Sequence, residues 1–87
     1  MTIVTIYTTR WCPFCIRAKS LLKNKGLPFE EIPVDGNPGL KAKMASMAGA
    51  TSVPQIWIGD QHIGGCDKLY DLERRQQLDK MLRSEAT

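Results

Sequence analysis

The stretch Trp11-Cys12-Pro13-Phe14-Cys15 decides how the rest of the chain is interpreted. It follows a short apolar run, Ile3 to Tyr7, and precedes a helical pattern of apolar residues. Pro13 has no backbone N–H and its φ is already near the helical value, so it marks the first helical position and leaves Cys12 at the N-cap. The free N–H groups of the first turn then point at the Cys12 sulfur. Two thiols placed in this way are typical of a site that exchanges electrons with other thiols.

The two cysteines are expected to play different roles. A thiol with an ordinary pKa of about 8.5 is only about 3% thiolate at pH 7, and the thiolate is the nucleophile. The helix dipole alone typically supplies about 0.3–1 kcal/mol. We therefore also expect hydrogen bonds to the Cys12 sulfur from the amides of Phe14 and Cys15. Arg10 and Arg17 should add positive potential. Cys15 begins an i, i+3, i+7 apolar stripe and should face inward, while Cys12 stays accessible. We predict that Cys12 attacks and Cys15 resolves.

Length and composition predict one globular domain over residues 1–87, because 87 residues with 43% hydrophobic content can bury a single modest core. No apolar run approaches the ~18 residues of a membrane span, and the start of the chain lacks the pattern of a signal peptide. The three cysteines are an odd number, which argues against a secreted disulfide framework. We therefore expect a cytoplasmic protein with no membrane association.

The net charge of +3 is mild but unevenly distributed. Glu30 is the first acidic residue, so the basic residues that precede it have no matching acid in the first third of the chain. This favours anionic small molecules or acidic protein faces as partners near the first helix. No nucleic-acid-binding motif accompanies the charge, so no nucleic-acid partner is expected.

The pattern of apolar residues and turn formers predicts the element order β-α-β-α-β-β-α. The first two strands should be parallel, with Pro33 at a sheet edge or strand end. Glycines 26 and 49 should end the first two helices, and Gly59-Asp60 predicts a hairpin. The predicted elements are strand Ile3–Tyr7, helix Pro13 to about Lys25, strand Phe29–Val34, helix Leu40–Ala48, strands Gln55–Ile58 and Gln61–Ile63, and a helix from about Asp67 to Arg83. With CxxC after the first strand, this order is that of an α/β, thioredoxin-like fold, a four-stranded mixed sheet flanked by three helices.

Four sequence pieces together resemble the glutaredoxin family, in particular its small bacterial dithiol members. They are Cys12-Pro13-Phe14-Cys15, the Ser52-Val53-Pro54 turn, the strand Gln55-Ile56-Trp57-Ile58-Gly59, and Gly64-Gly65-Cys66-Asp67. The resemblance covers essentially the whole chain. It implies an enzyme, a glutathione-disulfide oxidoreductase that reduces protein disulfides and glutathione mixed disulfides through a redox-active Cys12/Cys15 pair.

The resemblance also implies where glutathione binds. Val53-Pro54 should be a cis bond beside the CxxC, with the Val53 backbone pairing with the cysteinyl part of glutathione. Gly65, Cys66 and Asp67 should hold the γ-glutamyl end, the helix N–H groups facing its carboxylate and Asp67 its amine. The implied glutathione-binding residues are Arg10, Phe14, Ser52, Val53, Pro54, Gly65, Cys66 and Asp67. Glutathione is the expected co-substrate, and no metal is expected. The expected partners are disulfide-containing or glutathionylated proteins, and the protein itself is expected to be a monomer.

One position departs from the usual sequence of the family, and the third cysteine has two possible interpretations. The family usually has a lysine three residues before the first cysteine, where this chain has Thr9, so Arg10 or the lysines 41 and 43 would have to contact the glycyl carboxylate. Cys66 could be a third reactive thiol, but a lone cysteine at a helix start is more often a small packed residue.

Three alternatives stay open at this point. The first is an iron-sulfur carrier that uses Cys12 of two subunits with glutathione, which Pro13 would disfavour by fixing the helix start close to the sulfur. The second is a zinc site from Cys12, Cys15, His62 and Cys66, although a single CxxC without a second close pair is a weak zinc pattern. The third is a protein reduced by thioredoxin reductase rather than by glutathione.

Overall fold

The computed structural model describes residues 3–81. The helices and strands are β1 Val4–Thr8, α1 Pro13–Asn24, β2 Phe29–Pro33, α2 Pro38–Ala48, β3 Gln55–Ile58, β4 Gln61–Gly64 and α3 Cys66–Arg74. The strands form one sheet in the order β2-β1-β3-β4. Strand β1 is parallel to β2 and antiparallel to β3, and β3 is antiparallel to β4. The predicted fold class and element order are confirmed.

Strand β1 is central in the sheet, which explains its nearly continuous apolar sequence. Val4, Ile6 and Tyr7 are all buried, as a strand covered on both faces requires. Strand β2 lies at the edge, and Pro33 is its last residue, where a missing N–H removes no hydrogen bond from the interior of the sheet.

The two faces of the sheet carry two hydrophobic clusters, because alternate residues of a strand point to opposite faces. On one face, Val4 and Ile6 pack with Ala18 and Leu22 of α1 and with α3. On the other face, Tyr7 packs with Met44 of α2. Helix α2 buries only a narrow stripe at Met44, and Met47 is 46% exposed.

The ends of α1 and α3 share one geometry but differ in sequence. In α1 the Gly26 amide donates to the Lys23 carbonyl and the Leu27 amide to the Leu22 carbonyl, a Schellman motif with Gly26 at φ 69°. In α3 the equivalent bonds run from Gln76 to Glu73 and from Gln77 to Leu72, with Gln76 at φ 59°.

The prediction of one continuous last helix to Arg83 is therefore wrong. The helix ends at Arg74, and residues 78–81 form a new helical turn whose Leu78 is fully buried in the core. Leu82 and Arg83 lie outside the described residues. Between residues 3 and 81, no helix is long and apolar enough to cross a bilayer.

Candidate active site

The Cys12 sulfur occupies the N-cap of α1, as the position of Pro13 predicted. Cys12 has extended backbone angles (φ −98°, ψ 108°), and its sulfur accepts a hydrogen bond from the Cys15 amide at 3.1 Å. Of the two amides expected to donate, only that of Cys15 does so among the described residues. The sulfur therefore fills the place that a Ser or Asp oxygen takes in an ordinary N-cap, where a negative charge is favoured.

Cys12 is more covered than expected. It is 8% exposed, against 1% for Cys15, so the difference has the predicted sign but is small. The cover comes in part from the loop before β3, since the Cys12 thiol donates to the Val53 carbonyl at 3.6 Å. The neighbouring Trp11 is 87% exposed.

Cys15 lies beneath Cys12 and faces the core together with Ala18 and Leu22, as its spacing predicted. Burial, followed by a side-chain hydrogen bond with Cys12, raises the pKa of the Cys15 thiol to about 12. A backbone hydrogen bond from Thr9 and the charge of Lys19 act in the opposite direction without offsetting the burial. At neutral pH Cys15 therefore holds its proton.

A groove of about 540 Å³ opens beside the CxxC segment, which contributes Phe14 but neither of its cysteines to the lining. Its walls come from α1, from the loop before β3 and from the start of α3, and the Val53-Pro54 peptide bond in that loop is cis. The residues that line it are Phe14, Arg17, Ser52, Val53, Pro54, Gly65, Cys66, Asp67, Tyr70 and Arg74. Seven of the eight residues implied for glutathione binding thus lie along one groove.

Arg10 is the residue that the structure does not bring to this groove. It lines a separate pocket together with Glu31 and Asp35, and its amide donates to the Asp35 carboxylate at 3.1 Å. This bond ties the loop before Cys12 to the loop after β2.

Three groove residues were not predicted as contacts, namely Arg17, Tyr70 and Arg74. The Tyr70 hydroxyl donates to the Arg17 carbonyl at 3.1 Å, and the Arg17 guanidinium lies 5.4 Å from the centre of the Tyr70 ring. Helical spacing was the signal that could have found them. Arg17 lies three residues after Phe14, and Tyr70 and Arg74 lie four and eight after Cys66, on the same helix faces.

The start of α3 forms the far end of the groove. Its N-cap is Gly65, which has no side chain to cap the helix, and Asp67 lies within the first turn. Cys66 is the first helical residue and is only 6% exposed, packed within the main hydrophobic cluster. Burial raises the pKa of the Cys66 thiol.

The residues considered for a zinc site do not come together as one. Within residues 3–81, no group of three or more His, Cys, Asp or Glu side chains is arranged to hold a metal ion. His62 lies in β4, and its Nε2 is 2.7 Å from the Gln55 side-chain oxygen. The zinc alternative is therefore not supported.

Comparison with known proteins gives consistent results over nearly the whole chain. The family model for glutaredoxin matches residues 4–63. A glutaredoxin of Pseudomonas aeruginosa is 60% identical over 82 residues, which cover 94% of this chain and 98% of the relative. Glutaredoxin 3 of Escherichia coli is 52% identical over 83 residues, 95% of this chain and 100% of the relative.

Solved structures agree with the sequence comparisons. The solution structure of a glutaredoxin from Brucella melitensis is 49% identical and has a TM-score of 0.84, covering 94% of this chain and 89% of that one. A buckwheat glutaredoxin-glutathione complex is 28% identical with a TM-score of 0.85, covering 93% of this chain and 76% of that one. With the family model, the relatives and the CxxC geometry in agreement, this chain belongs to the glutaredoxin family of thiol-disulfide oxidoreductases.

Proposed function

We propose that this protein is a dithiol glutaredoxin that uses glutathione to reduce glutathione mixed disulfides and protein disulfides. The observation that carries the proposal is the position of the Cys12 sulfur. It lies at the N-terminus of α1, accepts the Cys15 amide, and contacts Val53 in the wall of a groove large enough for a tripeptide. The glutathione bound to the buckwheat relative supports the same ligand here.

In the first step, the Cys12 thiolate attacks the glutathione sulfur of a mixed disulfide. A bond forms between the Cys12 sulfur and the glutathione sulfur, the original disulfide bond breaks, and the substrate leaves as a thiolate that takes up a proton. A second glutathione thiolate then attacks the sulfur of the bound glutathione. This releases glutathione disulfide and restores the Cys12 thiolate. One free glutathione is consumed for each mixed disulfide reduced, and the other half of the glutathione disulfide comes from the substrate.

Protein disulfides require Cys15. Cys12 first forms a mixed disulfide with the protein, and Cys15 then attacks the Cys12 sulfur and releases the reduced protein. The raised pKa of Cys15 keeps it protonated until that stage, because its burial disfavours the thiolate. Two glutathiones then reduce the Cys12-Cys15 disulfide in succession.

The groove offers each part of glutathione a chemically matched partner. The Val53 backbone borders the Cys12 sulfur, where the cysteinyl part must lie. The uncapped first turn of α3 offers N–H groups to the γ-glutamyl carboxylate, and Asp67 offers an acceptor to the amine. Arg17, rather than Arg10, brings positive charge to the groove.

The proposal is tested by activity on a small glutathione mixed disulfide with glutathione as the sole reductant. We expect Cys12→Ser to abolish the activity, since no nucleophile remains. Cys15→Ser should retain it while losing activity on protein disulfides. Substantial activity of Cys12→Ser would contradict the assignment, and reduction by thioredoxin reductase but not by glutathione would support the thioredoxin-type alternative.

Other expectations from the sequence stay predictions. They are a single domain over residues 1–87, a monomer and a cytoplasmic location. The iron-sulfur alternative predicts a visible absorbance band and a dimeric mass in anaerobically purified protein, and Pro13 at the first helical position is the feature expected to disfavour it.

A further inference from the structure

The loop that carries the groove wall has few backbone bonds of its own. Residues 50–54 lie between α2 and β3, and among the described residues none of the backbone-backbone hydrogen bonds outside helices and strands involves them. Yet this loop places the Val53 carbonyl 3.6 Å from the Cys12 sulfur and brings Ser52, Val53 and Pro54 to the groove. Side-chain contacts must therefore help to hold it in shape, and one of them is the packing of Val53 against the cluster of Tyr7 and Met44.

The Gln55 side chain supplies that support. Its amide nitrogen donates to the Ser52 carbonyl at 3.0 Å and lies 3.3 Å from the Ser52 hydroxyl. Gln55 is only 4% exposed, so water cannot readily replace these bonds. A buried amide that loses its partner carries the full penalty of desolvation, so the Gln55 side chain and the Ser52 backbone are coupled.

The Ser52 carbonyl fixes the orientation of that amide, and His62 lies at its other end. A carbonyl can only accept, so the Gln55 nitrogen must face Ser52 and the Gln55 oxygen must face the other way. There it lies 2.7 Å from His62 Nε2, which must therefore carry a proton and donate. The imidazole is itself held against Trp57, with ring centres 4.6 Å apart and an interplanar angle of 35°.

We propose that Gln55 and His62 are positioning residues for substrate binding. The directed chain of hydrogen bonds from His62 to Gln55 to Ser52 holds the 52–54 loop in the shape that the glutathione moiety requires. This inference rests on the proposed function. It assigns Gln55 and His62 no contact with the substrate or with either active-site sulfur, so it predicts weaker substrate binding with the Cys15 amide bond to the nucleophile intact.

The test uses steady-state kinetics with the mixed disulfide of glutathione and 2-mercaptoethanol. Gln55→Leu removes the bonds to Ser52 and to His62. It should raise KM about 3- to 10-fold, the range expected for one or two lost hydrogen bonds, with kcat within about twofold of the wild type. Its Cys12 should react with iodoacetamide at least as fast as in the wild type, because the Cys15 amide bond to the sulfur is untouched while the loop that partly covers Cys12 is loosened. A structural defect of α1 would instead lower both kcat and the rate at which Cys12 is labelled.

A matched pair at His62 separates the hydrogen bond from the packing. His62→Phe keeps an aromatic ring against Trp57 but cannot donate, and should raise KM about 2- to 5-fold. His62→Gln loses the ring but keeps an N–H donor, and should stay nearer to the wild type. The two His62 variants test the positioning role even if Gln55→Leu fails to fold.

Unchanged KM in both Gln55→Leu and His62→Phe would overturn the positioning role, as would equal effects of His62→Phe and His62→Gln. A wild-type protein with no glutathione-dependent activity would overturn the proposed function and this inference together. The two failures are therefore distinguishable.

Discussion

Helices α1 and α3 both begin beside a cysteine, and both beginnings meet at the same groove. In α1 the cysteine is the N-cap itself, and the Cys12 sulfur accepts a first-turn amide. In α3 the cysteine comes one position later, after the N-cap Gly65, and Cys66 packs into the core. A shift of one residue relative to the helix start thus separates a sulfur held at the helix terminus from a sulfur held away from it.

The same shift leaves the two helix ends with different binding capacity. The first turn of α1 already has an acceptor in Cys12. The first turn of α3 has no side-chain cap, because Gly65 supplies none, and its N–H groups are left for an anionic ligand. On the proposed function, one helix end therefore suits a thiolate of the protein and the other a carboxylate of glutathione.

The largest expected effect concerns reactivity of the three thiols toward iodoacetamide at pH 7. With a pKa of about 12, Cys15 is only about 10⁻⁵ thiolate at that pH, so we expect Cys12 to react at least ~1,000-fold faster. Cys66 should also be slow, because burial raises its pKa. The labelling rate of Cys15 should rise about tenfold per pH unit between 7 and 9, because its thiolate fraction does. Site-resolved mass spectrometry measures all three.

The Cys12→Ser variant is the control for this experiment and should show only slow labelling. If Cys66 reacted as fast as Cys12, the difference between the N-cap and the first helical position would have no effect on thiol reactivity. That result would contradict the distinction drawn between the starts of α1 and α3.

A smaller effect is expected at the open end of α3. On the proposed function, a mixed disulfide of cysteinylglycine should be a poorer substrate than that of glutathione, because it lacks the γ-glutamyl group. We expect kcat/KM to fall about 10- to 100-fold, the range for charged hydrogen bonds. Asp67→Asn should reduce the ratio of kcat/KM between the glutathione and the cysteinylglycine substrates, since it removes the carboxylate proposed to face the γ-glutamyl amine. A wild-type ratio near one would place the γ-glutamyl group elsewhere.

The smallest effect tests how the start of α3 is set. Gly64 has φ 116°, which side chains rarely adopt, and an added Cβ would lie 3.1 Å from Lys68 Cγ. Gly64→Ala should therefore lower the free energy of unfolding by about 1–3 kcal/mol, measured by urea denaturation. Gly65 has φ −94° and only ordinary contacts for a Cβ, so Gly65→Ala should stay within about 0.5 kcal/mol. Equal losses would contradict the backbone explanation.

The sequence predicted the elements whose boundaries carry a glycine or proline. Pro13 and Gly26 mark the ends of α1, and Gly59 marks the hairpin between β3 and β4. The end of α3 could not be predicted in this way, because Gln76 is not a residue that favours positive φ. A left-handed residue costs about 1–2 kcal/mol, which is comparable to the roughly 1.5–3 kcal/mol gained by burying a leucine. The turn at Gln76 allows Leu78 to enter the core, so tertiary packing overrides local preference.

The residues expected to lie together do so where one motif supplies several neighbours, as at Ser52-Val53-Pro54 and Gly65-Cys66-Asp67, which line one groove. Arg10 lies in a different pocket, where its amide donates to Asp35, 25 residues later. Such long-range contacts of a loop have no periodic pattern in the sequence. Gln55 and His62 were missed as a pair for the same reason, since they meet only when β3 and β4 do.

The central place of β1 divides the site into two parts of unequal local stability. The chain leading to Cys12 leaves from β1, which has a hydrogen-bonded neighbour on either side and whose Thr8 carbonyl also accepts the Val34 amide. The loop opposite Cys12 depends largely on side-chain bonds. Amide hydrogen exchange should therefore be slowest in β1 and much faster at residues 50–53. The nucleophile would be anchored to the segment that opens last, while the wall facing it could yield to admit substrates of different size.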